Sequence, residues 1–226
     1  MNKITITINN GDLSNAGALA PWFSMPTTGT MDSPDTIHFS AANGFPAASY
    51  TGFLERFTPS FNISTMDNRG AWSERQPPPK KFSMNSFADD LISGITTQYR
   101  HPVIGMGHSH GGQITLIAAL KRPELFSRLI IIECASLPNP YIDLIYRKIP
   151  KALLFKFFPL MRGSEMRKKI WPSRRVFLER YKTHPTFKRF TEKALEEYAQ
   201  HGLFERGDGK FELVFDPIWE SYVFRN

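Results

Sequence analysis

One serine in the chain lies between glycines at the spacing that a nucleophilic serine needs. Residues 105–112 read Gly-Met-Gly-His-Ser-His-Gly-Gly, so Gly107, Ser109 and Gly111 form the pattern G-x-S-x-G. When a strand turns sharply into a helix at such a serine, the turn strains its backbone and lifts its hydroxyl clear of both elements. Small residues are needed two positions before and after, because the strand and the helix approach too closely there for a Cβ. The pattern therefore predicts that Ser109 is a nucleophile.

The segments on either side of Ser109 have the composition of the two elements that this turn requires. Residues 101–107 form a short apolar run typical of a buried strand, and residues 112–120 are typical of a helix packed on it. We therefore predict a strand, a sharp turn and a helix over residues 102–122. The alternative is a loop rich in Gly, Ser and His that carries no chemistry.

Elsewhere in the N-terminal part of the chain, predicted strands alternate with predicted helices, which is typical of a parallel, doubly wound sheet. The strand at residues 128–133 is apolar up to Glu133 and is predicted to be buried. Ser86 is predicted to be the N-cap of an amphipathic helix. After residue 135 the alternation stops. The predicted strands span residues 3–8, 36–40, 61–66, 101–107 and 128–133, and the predicted helices span residues 48–57, 86–99 and 112–120.

Composition limits the kinds of site that the chain can hold. The 226 residues are 41% hydrophobic and include 19 Phe, which is enough for a sizeable core. Its single cysteine, Cys134, excludes an intramolecular disulfide and a cysteine-cluster metal site. No metal-binding motif, P-loop or dinucleotide-binding motif is present, so no metal and no cofactor are expected. The lone cysteine, together with the lack of a signal-peptide core or a membrane-length apolar run, predicts a cytoplasmic protein without a membrane span.

The net charge of +7 is concentrated in one part of the chain. Residues 147–189 contain 14 Lys or Arg and two acids, which is +12 for the segment and −5 for the remainder. Basic surfaces can bind anionic small molecules, membranes or nucleic acid, and the alternative is a solvated basic helical face. The expected partner is a small-molecule substrate, for which an anion is one option, and no nucleic acid is expected.

Three segments together make the chain similar to the α/β-hydrolase superfamily of cofactor-free serine hydrolases. Residues 37–46 resemble the motif after that family's third strand, in which a Gly precedes an aromatic residue whose backbone N–H faces the active site. The second segment is the turn at residues 67–70, and the third is the turn at Ser109 with the helix-to-strand join at residues 121–130. The resemblance implies an oxyanion hole built from the backbone N–H groups of Phe45 and His110.

The resemblance also implies a division of the chain and a departure from the family pattern. Residues 1–135 would form the hydrolase core, residues 136–213 a helical cap inserted after the family's sixth strand, and residues 214–226 the return to the core. In this family the acid and the histidine of the triad follow the seventh and eighth strands, and the chain stops where the seventh should begin. We therefore expect a truncated hydrolase with its final strands missing, which could self-associate through the exposed edge of the strand at residues 128–133.

The catalytic base is the group that the sequence does not supply. His108 and His110 flank Ser109, where neighbouring side chains diverge, so neither is expected to take its proton. Glu133 ends the sixth strand of the family's count and could orient a histidine, as the acid does in some α/β-hydrolases, or it could be a structural acid at a strand end. Two functions stay open. One is a serine hydrolase acting on an ester-type acyl bond of a small molecule, impaired by the missing residues. The other is an inactive truncated hydrolase, or a basic binding protein that uses the cap surface.

Overall fold

The computed structural model describes most of the chain between the first core strand and the last helix. Those residues are 22–25, 35–73, 76–79, 83–134, 148–150, 153 and 159–224. The strand predicted at residues 3–8 lies outside them. So does most of residues 136–158, the first part of the predicted cap.

The centre of the described structure is a twisted sheet of five strands. These strands are β1 (Trp22–Met25), β2 (Thr36–Ser40), β3 (Asn62–Met66), β4 (Val103–His108) and β5 (Phe126–Ile132). Their order across the sheet is β1-β3-β2-β4-β5. β1 is antiparallel to β3, and the other neighbours are parallel. The mostly parallel, doubly wound sheet predicted from the sequence is confirmed.

Helices cover the sheet, and each face of the sheet builds its own core. Neighbouring strand residues point to opposite faces, so Val103 packs in one cluster with Leu91 and Ala118, while Ile104 packs with Leu54 on the other side. None of the described helices is long and apolar enough to cross a membrane. The helices are α1 (Thr51–Leu54), α2 (Met84–Gln98), α3 (His110–Lys121), α4 (Pro159–Glu165), α5 (Arg174–Lys182), α6 (Glu192–His201) and α7 (Pro217–Val223).

The region predicted as a helical cap also contains a small antiparallel sheet. Its strands, in the order β6-β8-β7, are β6 (Ile170–Trp171), β7 (Leu203–Glu205) and β8 (Phe211–Leu213). Together with α5 and α6 they enclose a separate aromatic core that includes Trp171, Phe177 and Tyr198. Strands of two or three residues show no measurable period-two pattern, which is why the sequence did not reveal them.

Two helix boundaries differ from the prediction, and both differences have local causes. The N-cap of α2 is Ser83 rather than Ser86, and the Ser86 hydroxyl accepts a hydrogen bond from the Ser83 N–H at 3.3 Å. The helix predicted over residues 48–57 is a 3₁₀ turn, Ala47–Tyr50, followed by the single turn of α1. Gly52 lies in that turn and donates its N–H to the Glu197 carboxylate, so a tertiary contact replaces helical continuation there.

β5 forms an edge of the sheet within the described residues. It pairs in parallel with β4 on one side, as predicted. It is not buried as the sequence indicated, because Leu129 and Ile130 are 40% and 41% exposed. An edge strand with apolar side chains and unpaired backbone groups is a template for pairing with another chain.

We expect the chain to self-associate through β5 and Ile130→Lys to reduce that association, since a charge on an edge strand opposes strand pairing. Light scattering against protein concentration measures the effect. Leu120→Lys is the matched control, because Leu120 is also apolar and is 77% exposed but lies at the end of α3. A monodisperse wild-type monomer, or an equal effect of both substitutions, would contradict a role for the β5 edge.

Candidate active site

Ser109 forms a one-residue turn between β4 and α3. Its backbone has φ 52° and ψ −117°, and Ser109 and Glu133 are the non-glycine residues with positive φ in the described part of the chain. Such a conformation costs on the order of 1–3 kcal/mol and persists only where the surroundings impose it. Its N–H donates to the carbonyl of Ile132 at 2.8 Å, and its carbonyl accepts from the N–H of Gln113 at 3.1 Å. The predicted strand, sharp turn and helix are therefore present, with the strain at the predicted residue.

Two glycines allow the turn to be this tight. A Cβ at Gly107 would collide with the carbonyl of Gly111, and a Cβ at Gly111 would collide with the carbonyl of Ser40 at the end of β2. Each obstacle is backbone, which cannot swing aside as the end of a flexible side chain can. The steric reason for small residues at both positions, inferred from the pattern, is thus confirmed.

The loop after β2, residues 41–46, lies beside this turn because of the contact between Gly111 and Ser40. His110 is the first residue of α3, so its backbone N–H has no acceptor within the helix. The Phe45 N–H donates to the carbonyl of Ala42 over a long 3.3 Å. The two N–H groups predicted to bind an oxyanion thus lie on adjoining elements. When a ligand binds, the Phe45 N–H would give up its long hydrogen bond to Ala42 and donate to the ligand oxygen. Their role stays a prediction.

Residues 41–46 are called the oxyanion loop here, after their predicted role. The last helix, α7, and the region predicted as a cap hold this loop in place. The Asn43 side-chain amide donates to the carbonyl of Glu220 at 2.9 Å, and the Tyr198 hydroxyl donates to the carbonyl of Gly44 at 3.4 Å. Gly44 has φ 83°, and a Cβ there would lie 2.8 Å from the carboxyl carbon of Glu220. Only glycine fits this position, which fixes the path of the chain into Phe45.

Glu220 belongs to a buried charged network. Its carboxylate pairs with Arg167, whose guanidinium also donates to the Tyr198 hydroxyl, and it accepts from the Ser164 hydroxyl at 3.2 Å. Burial alone would lower the pKa of Arg167, but Tyr198 and Glu220 outweigh it and hold that pKa well above its ordinary value. Removing one partner of a buried ion pair leaves an uncompensated charge at a cost of roughly 3–5 kcal/mol. The network therefore ties the cap, α7 and the oxyanion loop together.

Asp67 holds the far end of the oxyanion loop. Its Oδ1 accepts the N–H of Ala47 at 2.6 Å, which is a tertiary contact. The local turn bond is made instead by Asn68, whose side chain accepts the N–H of Gly70 at 3.1 Å. Burial raises the pKa of Asp67 to about 7, although the bond from Ala47 opposes the shift. The group therefore exchanges a proton near neutral pH in the folded protein.

His108 directs both of its ring nitrogens away from Ser109. Nδ1 lies 2.7 Å from the Tyr50 hydroxyl, and Nε2 lies 3.9 Å from Oε2 of Glu133. The Tyr50 oxygen also accepts the N–H of Ala42 at 3.3 Å. Burial lowers the pKa of His108, against the attraction of Glu133. His108 is thus a structural partner of Tyr50, which lies within the helix predicted over residues 48–57.

The other two central histidines, His110 and His38, are packed in the interior. His110 lies edge-on against Phe87 with ring centroids 4.8 Å apart, and burial lowers its pKa to about 4. His38 lies in β2, its Nδ1 is 3.3 Å from the Ser64 hydroxyl, and burial lowers its pKa to about 3. Within the described residues, no histidine makes a hydrogen bond to the Ser109 hydroxyl.

Glu133, the acid proposed from the sequence, contacts His108, which makes no hydrogen bond to the Ser109 hydroxyl. Its side chain is 86% exposed, and at 3.9 Å from a half-buried ring it makes a weak, solvent-screened contact. Its φ of 45° is a conformation that L-residues rarely adopt. In the part of the chain that the structure describes, no cluster of His, Cys, Asp or Glu is arranged to hold a metal ion.

Comparisons with known proteins match part of the sequence and nearly all of the structure. No protein-family model matches the chain. The chain is 32% identical over 113 residues to a protein of Rhizobium rhizogenes named carbamate hydrolase RutD, covering 49% of this chain and 43% of that protein. It is 32% identical over 97 residues to ethanol acetyltransferase 1 of Cyberlindnera jadinii, covering 43% and 27%. The matched segment is less than half the length of either relative.

Solved structures extend the similarity through the cap. The structure of an E-2-(acetamidomethylene)succinate hydrolase superposes with a TM-score of 0.72 at 17% identity, covering 98% of this chain and 73% of that one. A thioesterase domain from the curacin biosynthetic pathway superposes with a TM-score of 0.65 at 14% identity, covering 97% and 75%. The chain has the α/β-hydrolase fold. The turn at Ser109 and the loop after β2 are both present in the described residues.

Gly111→Ala is expected to destabilise the protein by roughly 1–3 kcal/mol or more, because the new methyl group forces α3 away from β2. Urea unfolding followed by circular dichroism measures the change. Gly163→Ala is the control, since a Cβ at this position of α4 meets nothing within 4 Å and alanine favours a helix. Equal unfolding midpoints for the two variants would contradict the close contact at Gly111.

The raised pKa of Asp67 predicts that protein stability falls as the pH rises. Between about pH 4 and about pH 7 the folded carboxyl keeps a proton that the unfolded chain has lost. This group therefore stabilises the fold fully below about pH 4, and that contribution disappears as the pH passes about 7, on the order of 4 kcal/mol by linkage.

Asp67→Asn should remove this loss. As the pH is raised from about 5 to about 8, the variant should therefore become more stable relative to wild type. Urea midpoints at the two pH values give the difference. Glu205→Gln, which changes an exposed carboxylate on β7, should leave the pH dependence unaltered. Parallel pH profiles for wild type and Asp67→Asn would show that Asp67 is ionised throughout.

Proposed function

We propose that this α/β-hydrolase chain carries the nucleophile and the oxyanion hole of a serine hydrolase acting on an ester-type acyl bond of a small molecule. The observation that carries the proposal is the strained turn at Ser109, which has the N-terminus of α3 on one side and the oxyanion loop on the other. The names of the relatives agree with it, since a carbamate hydrolase and an acetyltransferase both act at an acyl carbonyl. Cytoplasmic location, and the absence of a nucleic-acid partner, are part of the same proposal.

The reaction proceeds by acyl transfer through Ser109. The hydroxyl oxygen bonds to the carbonyl carbon, and the N–H groups of His110 and Phe45 stabilise the negative oxygen. The carbon–oxygen bond to the leaving group then breaks, and the proton lost by Ser109 ends on the departing alcohol. Water attacks the acyl-enzyme in the second half, which returns the proton to Ser109 and releases the acid.

Catalysis by the chain itself is expected to be weak. With no histidine on the Ser109 hydroxyl among the described residues, nothing there accepts its proton, and losing triad members lowers turnover by roughly 10⁴–10⁶ in serine hydrolases. Deacylation needs the same base, so an acyl-enzyme should accumulate once it forms.

The competing proposal, a binding protein that uses the basic cap surface, has less support. Several basic groups of residues 147–189 are already engaged in the fold. Lys169 pairs with Asp216 at 2.9 Å, Lys182 pairs with Glu192 at 3.0 Å, and Arg167 is buried against Glu220. The charge of this segment therefore serves structural contacts as well as the surface.

The test is acylation of Ser109 by nitrophenyl acetate, followed by intact-protein and peptide mass spectrometry. Steady-state hydrolysis should be near the buffer rate, while an acetyl group should appear slowly on Ser109. Imidazole supplies a mobile base and should accelerate this labelling, as judged against Ser109→Ala at the same imidazole concentration.

Ser127→Ala serves as a matched control, because the Ser127 hydroxyl is bonded to the Val103 carbonyl at the far end of β5. Acetylation that never reaches Ser109, with or without imidazole, would refute the proposed function and favour the binding protein. Rapid, saturable hydrolysis abolished by Ser109→Ala would instead reveal a base in the chain.

A further inference from the structure

A cavity of about 510 Å³ lies between the cap and the segment that follows the oxyanion loop. It reaches the active site at two points, His108, which directly precedes Ser109, and Phe45, whose N–H is a proposed oxyanion donor. Its volume falls within the range that holds a small organic ligand. A substrate whose carbonyl oxygen accepts from the Phe45 N–H would therefore have this cavity beside it for its acyl group.

Five aromatic rings of Phe and Tyr line the cavity. Phe45 and Phe190 are stacked with an interplanar angle of 16°, and Phe53 and Phe190 are each 37% exposed although they are large and apolar. The hydroxyls of the two tyrosines are already bonded elsewhere, so these residues offer ring faces. The five rings that line the cavity belong to Phe45, Tyr50, Phe53, Phe190 and Tyr198.

The charged residues on the wall largely satisfy one another. Lys193 lies 3.9 Å from the Glu55 carboxylate and 3.8 Å from the Glu197 carboxylate, and Glu197 also accepts the N–H of Gly52 at 3.1 Å. With Arg56 the described lining holds two acids and two bases, so its charges balance. None of the described basic residues of 147–189 lines it, so the charge of that segment gives no reason to expect an anion there.

We propose that this cavity is the acyl-group subsite and that it selects an uncharged aromatic acyl group of one or two rings. The assignment of the bound group as the acyl part of a substrate rests on the proposed function. The binding of a neutral aromatic group by the cavity is independent of that function. Ring stacking against Phe45 and Phe190 and removal of both surfaces from water supply the affinity.

Binding is measured first, with ligands that cannot react. Saturation-transfer NMR and calorimetry would compare naphthylacetamide, acetamide and naphthylacetate. Naphthylacetamide should bind with a dissociation constant on the order of 1 mM, as expected for a ligand of its size, and acetamide should not bind detectably. Tighter binding of naphthylacetate that is lost in Arg56→Gln would overturn the assignment of an uncharged group.

Ala194→Trp fills the cavity from α6 and should weaken naphthylacetamide binding by at least about tenfold. Gln200→Trp adds the same side chain to an exposed position of the same helix and should leave binding unchanged. Circular dichroism confirms that each variant is folded. Equal affinities in the two variants, or naphthylacetamide binding no better than acetamide, would overturn the proposal.

Acylation distinguishes a failure of this inference from a failure of the proposed function. The nitrophenyl ester of naphthylacetic acid should label Ser109 at least about tenfold faster than nitrophenyl acetate, and Ala194→Trp should abolish the difference. Equal labelling rates would refute an acyl subsite while leaving the nucleophile in place. Ligand binding that Ala194→Trp blocks, without any labelling of Ser109, would refute the hydrolase and leave an aromatic binding site.

Discussion

The geometry of the site depends on one contact, the approach of the α3 backbone to the end of β2. Gly111 lies so close to the carbonyl of Ser40 that no side chain fits between them. Because α3 begins this near the sheet, the chain has a single residue in which to turn from β4. That residue, Ser109, takes a conformation that L-amino acids rarely adopt. The same contact brings the loop that follows Ser40 beside the N-terminus of α3, so the positions of the proposed nucleophile and of the proposed oxyanion donors share one cause.

The surrounding structure supports this contact from two directions. Asp67 fixes the end of the oxyanion loop at Ala47, and Glu220 fixes its middle through Asn43 and the space beside Gly44. Both carboxyl groups are buried, and the cost of burying each group is offset in a different way. Glu220 is compensated by Arg167, whereas Asp67 has a backbone N–H and a raised pKa. A loop made of small residues is in this way held by groups whose displacement would leave buried polar atoms without partners.

Much of the core was predictable because its signals are local. The strand, turn and helix around Ser109 followed from glycine spacing and apolar runs, and β2, β3 and α2 from periodicity. The features that the sequence did not predict depend on contacts between residues far apart in the chain. Tyr50 belongs by periodicity to an apolar helix face, yet its hydroxyl pairs with His108, 58 residues away. β5 has the composition of a buried strand, but burial depends on neighbours that composition does not specify. The strands β6, β7 and β8 are too short to show a period.

The link between Asn43 and Glu220 spans 177 residues of chain, and it also sets an order of assembly during synthesis. β2, β4 and α3 are made early and can pair among themselves. The oxyanion loop cannot take its final form until α7 has left the ribosome and docked, since its support lies there. Trp219 adds a second closure of this kind, donating its indole N–H to the carbonyl of Gln76 at 2.7 Å. Contacts of such sequence separation slow folding, so the support of the oxyanion loop is among the late contacts to form.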